Sequence, residues 1–213
     1  MSVRIAVCDY GVGNLRSVER ALERMGATVL LSDDPATLRA ADGVVLPGVG
    51  AFGAALGALR QRGLDVAVAD IAASGRPLLG VCLGFQLLFE HSDESGGHPG
   101  LGLLPGRVKR IEAVGHKVPH MGWNELRLVT PSRLLHSLPD GCHMYFVHSY
   151  AAPAGGSDGC VVATTSYGGE LAAVCERGNV MGTQFHPEKS SSNGLRLYAN
   201  FVALCAARSP ATM

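Results

Sequence analysis

Residues 77–86 read Pro-Leu-Leu-Gly-Val-Cys-Leu-Gly-Phe-Gln. Pro77 to Val81 is wholly apolar, the pattern of a parallel strand covered by helices on both faces. Cys82 to Gly84 turn it into Phe85 to Glu90, which reads as a helix. The same alternation repeats upstream. Arg4 to Cys8 reads as a strand, and a helix follows in which Leu15, Val18, Leu22 and Met25 share one face, with Asn14 as its N-cap and Gly26 closing it. Thr28 to Leu31 is a second strand, and Asp34-Pro35 starts a short helix with a capping carboxylate and a proline at its first position. Gly43 to Leu46 is a third strand, followed by helices over Ala51 to Arg60 and Leu64 to Ala73. Strand, turn and helix repeated in this way define an α/β fold, doubly wound, with a mostly parallel sheet and helices on both faces.

The rhythm changes after a Gly-, Ser- and Pro-rich segment, His91 to Gly106, which reads as a loop. Short β-like runs follow at Arg107 to Ile111, Glu125 to Val129, Met144 to His148, Cys160 to Thr164, Leu171 to Cys175 and Val180 to Phe185. These imply antiparallel hairpins added to the parallel core. One short helix is expected at Ser132 to Leu138, and a last one from Asn193 to Ala207 that packs back on the sheet. With no internal repeat, residues 1–213 are expected to form a single domain.

Composition narrows the functional classes. Of 213 residues 47% are hydrophobic and 17% charged, which excludes a disordered chain. Eighteen basic residues balance eighteen acidic ones, which argues against a nucleic-acid footprint or a polybasic membrane surface. The longest uncharged apolar run, Gly43 to Leu59, holds Pro47 and five glycines and is no membrane helix. The six cysteines lack CxxC spacing and read as reduced thiols of a cytoplasmic protein. No metal site is expected: Pro119 keeps His116 and His120 off a common helical face. Gly11-Val12-Gly13 follows the first strand, but Arg16 stands where a dinucleotide fingerprint needs its third glycine, so no cofactor is implied.

The chemistry concentrates in two stretches. In Gly80-Val81-Cys82-Leu83-Gly84 the glycines permit a strained strand-to-helix turn that lifts a nucleophile into the open at a helix N-terminus. A free thiol is only a few per cent thiolate at pH 7, so it needs a base. Gln184-Phe185-His186-Pro187-Glu188-Lys189 supplies one, because Pro187 holds His186 extended and an extended chain turns residues two apart to the same side. Cys82, His186 and Glu188 then make nucleophile, base and orienter. That chain order differs from the acid-before-histidine order of α/β-hydrolases. Pro47-Gly48-Val49-Gly50 ends the third strand on the same rim, where its backbone N–H groups and that of Leu83 can hold an oxyanion.

These motifs resemble the class I (triad) glutamine amidotransferases. Asp9 to Asn14, Pro119 to Asn124 (PHMGWN), Tyr145 to Tyr150 (YFVHSY) and Lys189 after the HPE narrow the resemblance. They are similar to the glutaminase subunits that feed a cyclase in histidine biosynthesis, and the likeness runs nearly end to end. It implies that Cys82 attacks the side-chain amide of L-glutamine through a γ-glutamyl thioester, with His186 moving protons and Glu188 orienting it. It implies oxyanion donors at Gly50 and Leu83, and substrate contacts from Gln86, His148, Ser149 and Tyr150. The implied partner is a (β/α)₈-barrel cyclase, joined as a heterodimer. It uses the ammonia to form imidazole glycerol phosphate and an aminoimidazole carboxamide ribotide. Asn14, Trp123, Tyr145 and Lys189 are expected at that interface, and the glycine-rich Pro47–Gly50 loop to turn a peptide between inactive and oxyanion-ready forms. The competing readings are the glutaminase subunit of another amidotransferase, a stand-alone cysteine hydrolase, and a binding module in which Cys82 is inert.

Overall fold

A computed structural model describes residues 2–112, 115–156 and 159–207. The first half comprises β1 (Arg4–Cys8), α1 (Leu15–Arg24), β2 (Thr28–Ser32), α2 (Pro35–Ala40), β3 (Gly43–Leu46), α3 (Phe52–Gln61), α4 (Leu64–Ala73), β4 (Leu78–Val81) and α5 (Leu83–Leu87). Local chemistry accounts for several boundaries. Asp34 accepts from the N–H groups of Ala36 and Thr37 with Pro35 at the first helical position, and Gly26 takes a φ of 89° to end α1. Asn14 stands at the start of α1, but its side chain makes no capping bond.

The second half adds β5 (Phe89–Ser92), β6 (His98–Pro99), β7 (Leu104–Arg110), β8 (His120–Leu128), β9 (Cys142–His148), β10 (Tyr150–Ala151), β11 (Val161–Ser166), β12 (Glu170–Arg177), β13 (Val180–Thr183) and α6 (Ser191–Ala206). The main sheet runs β2-β1-β3-β4-β13-β12-β11-β8-β9. Its first five strands are parallel, and β12, β11, β8 and β9 extend it with antiparallel pairings. Alternation along β1 shows the double winding directly. Ile5 and Val7 join a core with Val18 and Leu22 of α1 and Phe201 of α6, while Ala6 and Cys8 face Leu38, Leu56 and Val68 of α2, α3 and α4.

Three expectations fail for tertiary reasons. The helix expected over Phe85 to Glu90 starts at Leu83 and stops at Leu87, because the carbonyls of Leu87, Leu88, Phe89 and Glu90 accept from backbone N–H groups of residues 100–104. The segment expected as a loop, His91 to Gly106, accordingly carries β6 and joins a second sheet of order β10-β7-β5-β6. Ser132 to Leu138 forms turns instead of a helix: Ser137 sits at φ 60°, and Asn200 of α6 donates to the carbonyls of Leu134 and His136. No helix among the described residues is long and apolar enough to cross a membrane.

The register places the chemistry. Leu46 pairs with Gly80, and Val81 with Thr183. The Pro47–Gly50 loop, Cys82 and the Gln184–Glu188 stretch therefore leave the sheet side by side at its carboxyl rim, where open α/β sheets bind ligands.

Candidate active site

Cys82 has φ 54° and ψ −109°, a conformation that costs a non-glycine residue about 1–3 kcal/mol. Two backbone bonds hold it there: its N–H donates to Thr183 O at 2.8 Å, and its carbonyl accepts from Gln86 N–H at 3.1 Å. The flanking glycines are required by space. A Cβ on Gly84 would lie 1.8 Å from the Leu46 carbonyl oxygen, and one on Gly80 would lie 2.7 Å from Phe85 Cα. Since α5 is a single turn, its end carries little of a helix dipole, and activation of the thiol falls to its neighbours.

The nearest candidate base is fixed from behind. His186 Nδ1 bonds Glu188 Oε1 at 2.8 Å, which makes Nδ1 the protonated nitrogen of the neutral ring. His186 is extended as expected, but Pro187–Lys189 forms a 3₁₀ turn, so the carboxylate reaches the ring by that turn and not by strand alternation. The opposite nitrogen, Nε2, is buried and has no hydrogen-bond partner among the described residues. Burial pushes the imidazole down, yet the Cys82 sulfur and the Glu188 carboxylate outweigh it and raise His186 to about 10. Cys82 and His186 are not in hydrogen-bond geometry at Nε2, and such contacts commonly tighten once substrate is bound. Tyr198 places its hydroxyl 3.5 Å from the other Glu188 oxygen.

Cys82 and His186 open on one cavity of about 420 Å³, the size of a small-molecule site. Gly50, Leu83, Gln86, His148, Ser149 and Tyr150 line it, so every expected oxyanion and substrate position meets the thiol there. Two details alter the expected roles. The Leu83 N–H points at the Gly48 carbonyl at a long 3.4 Å, so one oxyanion donor faces an internal acceptor. His148 has both ring nitrogens engaged: Nδ1 bonds Tyr150 O at 2.9 Å and Nε2 bonds His120 Nδ1 at 3.1 Å. A carbonyl only accepts, so His148 carries its proton on Nδ1 and His120 donates to Nε2. The ring of His148 is a wall of the cavity with no nitrogen left for a ligand. Its partner His120 is stacked between Phe146 and Tyr167.

Glu94 was not flagged from sequence. It lines the cavity and uses one oxygen to cap α3 through Phe52 N–H at 3.0 Å. It lies in the stretch read as a loop, and no motif marks it. Outside the cavity, Trp123 and Tyr145 are registered partners across β8 and β9, edge to face at 6.0 Å, and Lys189 Nζ stands 5.8 Å over the Tyr145 ring. Trp123 is 52% exposed and Met121 63%, so Trp123 is no core aromatic. Asn14 is exposed at the start of α1.

The fold, and the cavity that gathers Cys82 and His186, fit an amidotransferase. The family described as glutamine amidotransferase class-I matches residues 6–205, and the chain belongs to it. The fold agrees with solved structures at low identity. PurLQS from Thermotoga maritima superposes with a TM-score of 0.72 at 23% identity, over 95% of this chain and 99% of that one. The glutaminase domain of Trypanosoma brucei CTPS superposes at 0.70 and 17%, over 99% and 96%. Sequence relatives are more specific. The chain is 53% identical to the imidazole glycerol phosphate synthase subunit HisH of Moorella thermoacetica, over 92% of this chain and 93% of that protein. It is 49% identical to the same subunit of Geobacillus sp. (strain WCH70), over 94% and 96%.

Proposed function

We propose that this chain is the glutaminase subunit of an imidazole glycerol phosphate synthase, releasing ammonia from L-glutamine for a partner cyclase in histidine biosynthesis. The observation that carries the chemistry is the shared cavity in which a strained cysteine meets a histidine whose Nε2 is unpartnered and whose Nδ1 is held by a buried carboxylate. In this reading the Cys82 thiol proton passes to His186 Nε2 and the sulfur attacks the δ-carbon of glutamine. The resulting oxyanion is held by backbone N–H groups of Gly50 and Leu83. The imidazolium, which Glu188 favours, returns its proton to the amide nitrogen. The C–N bond breaks, ammonia leaves and a γ-glutamyl thioester remains. A water deprotonated at Nε2 then attacks the thioester, giving glutamate and free thiol.

Recognition of an amino acid needs a counter-charge for its ammonium, and Glu94 supplies a carboxylate at the cavity wall. Gln86, Ser149 and Tyr150 complete the substrate surface. The Leu83 contact with Gly48 O favours a loop that must turn before the oxyanion site is complete, and Gly50, at φ 99° in open space, tolerates that turn. A heterodimeric partner is supported by the face that the exposed Trp123, Met121 and Lys189 form around the half-buried Tyr145, to which we add Asn14. Six buried cysteines, none of them in a disulfide, suit a reducing cytoplasm.

The test is glutamate release from glutamine by wild type and Cys82→Ala, alone and with the cyclase and its nucleotide ligand. Release in the complex that vanishes with Cys82→Ala is the expected result. A folded protein that releases none under any condition would overturn the assignment. Release equal in wild type and Cys82→Ala would remove Cys82 from the chemistry.

A further inference from the structure

The orientation of one buried amide beside the nucleophile can be read from a chain of hydrogen bonds that ends on a backbone carbonyl. Gln86 bonds Tyr150 O at 2.8 Å, and because a carbonyl only accepts, the atom facing it is the amide nitrogen. The same nitrogen gives a second bond to Gln184 Oε1 at 3.1 Å. The Gln184 amide is therefore turned with its oxygen toward Gln86 and its nitrogen away. That nitrogen stands 4.0 Å from Cys82 Sγ. Gln184 is wholly buried, and its backbone is tied down by its N–H bond to Ala173 O at 2.9 Å.

The other neighbours of the sulfur make this orientation matter. The neutral thiol points at the Val147 carbonyl 3.9 Å away, a weak bond that disappears when the proton leaves. A thiolate at that position faces a carbonyl dipole of the wrong sign, and His186, the titratable group that takes its proton, is not in hydrogen-bond geometry with it, so the sulfur needs a further donor. We infer that Gln184 is a thiolate-binding residue: its side-chain N–H, aimed by Gln86 and the Tyr150 carbonyl, closes on Cys82 Sγ as the sulfur becomes charged. A separation of 4.0 Å is long for a neutral thiol, and hydrogen bonds to a charged acceptor are shorter and stronger. Substrate is not required for this contact, so Gln184 acts on the resting nucleophile. The inference rests on Cys82 being the nucleophile of the proposed reaction.

The test uses the full chain and iodoacetamide, a small neutral electrophile, with the Cys82 peptide followed by mass spectrometry across pH. Gln184→Met keeps the volume and removes the donor. It should raise the pH midpoint of Cys82 alkylation by about one unit, or about tenfold less thiolate at a fixed pH below the midpoint. Gln184→Glu keeps an oxygen for Gln86 but puts a second oxygen toward the sulfur, and should raise the midpoint further; it decides the matter if the methionine variant fails to fold. Midpoints that coincide in wild type and a folded variant would overturn the role of Gln184 while leaving Cys82 as nucleophile. A folded wild type whose Cys82 stays unmodified at every pH would overturn the nucleophile assignment, and this inference with it.

Discussion

His120 and His148 form a buried pair that must stay neutral, and this gives the protein a defined weakness toward acid. Burial, with the mutual proximity of the rings, pushes His148 down to about 3; burial, with His116 nearby, pushes His120 down to about 4. In the unfolded chain both titrate near the ordinary value of about 6.5. Because the folded values are depressed, the unfolded chain binds more protons at every pH below about 6.5, and stability falls as the pH falls. The fall continues until the folded rings themselves protonate, near pH 4 for His120 and pH 3 for His148. Each group contributes about 1.4 kcal/mol per pH unit, so the pair gives a slope of about 2.7 and a loss of about 4 kcal/mol between pH 6.5 and 4.5. That is a large part of a typical 5–15 kcal/mol domain stability. His120→Asn separates this pair from other titrating groups, since its amide N–H can take the place of Nδ1 as donor to His148 but does not titrate. Urea unfolding of both proteins from pH 4.5 to 7.5 should show a slope about 1.4 kcal/mol per unit shallower in the variant below pH 6. Equal slopes would refute the claim that His120 is held neutral.

Two further outcomes follow from the geometry. Gly84→Ala drives a Cβ to within 1.8 Å of the Leu46 carbonyl oxygen, where neither backbone can yield without breaking the elbow; we expect a loss of about 3 kcal/mol or more and a melting temperature lower by about 10 °C, and an unshifted melt would contradict it. Trp123→Ala removes the most exposed aromatic of the Trp123–Tyr145–Lys189 face and should weaken cyclase binding by about 30-fold in titration calorimetry, whereas unchanged affinity would take this face out of the interface.

The parallel half of the fold was legible because its determinants are local. Apolar runs of four or five residues, glycine and Asp-Pro punctuation, and the Leu15–Met25 period each act within one element. The elements that were misread depend on distant partners. Phe89–Ser92 is a strand because residues 100–104 take the carbonyls that a longer α5 would need, and a Cβ at Gly100 would sit 2.0 Å from Phe89 O. Ser132–Leu138 is held out of a helix by a side chain on α6. The site divides in the same way. Cys82, His186 and Glu188 sit in short motifs that can be read locally, although distant backbone groups at Thr183 and Tyr145 hold them in place. His120 meets His148 only because β8 and β9 pair in that register, and Glu94 reaches the cavity from the turn that joins β5 and β6 of the second sheet.

The same non-local pairing suggests how a partner could act on the chemistry. Tyr145 belongs to the exposed face through Trp123 and Lys189, yet its carbonyl accepts the His186 backbone N–H at 3.0 Å and its N–H donates to Ser190 Oγ at 3.0 Å. Ser190 Oγ in turn donates to His186 O at 2.7 Å. One residue of β9 therefore grips both ends of the histidine–glutamate turn while its half-buried ring packs under Trp123 and Lys189. A load on that ring reaches the candidate base through two short bonds, without passing through the core. The opposite wall of the cavity is anchored only at its base, where the buried Tyr10 hydroxyl donates to Pro47 O at 2.6 Å; further along, the Pro47–Gly50 loop meets Leu83 in a 3.4 Å contact and ends on a glycine in open space. If partner binding is to alter the site, the base is the part held in place and the oxyanion loop is the part free to turn.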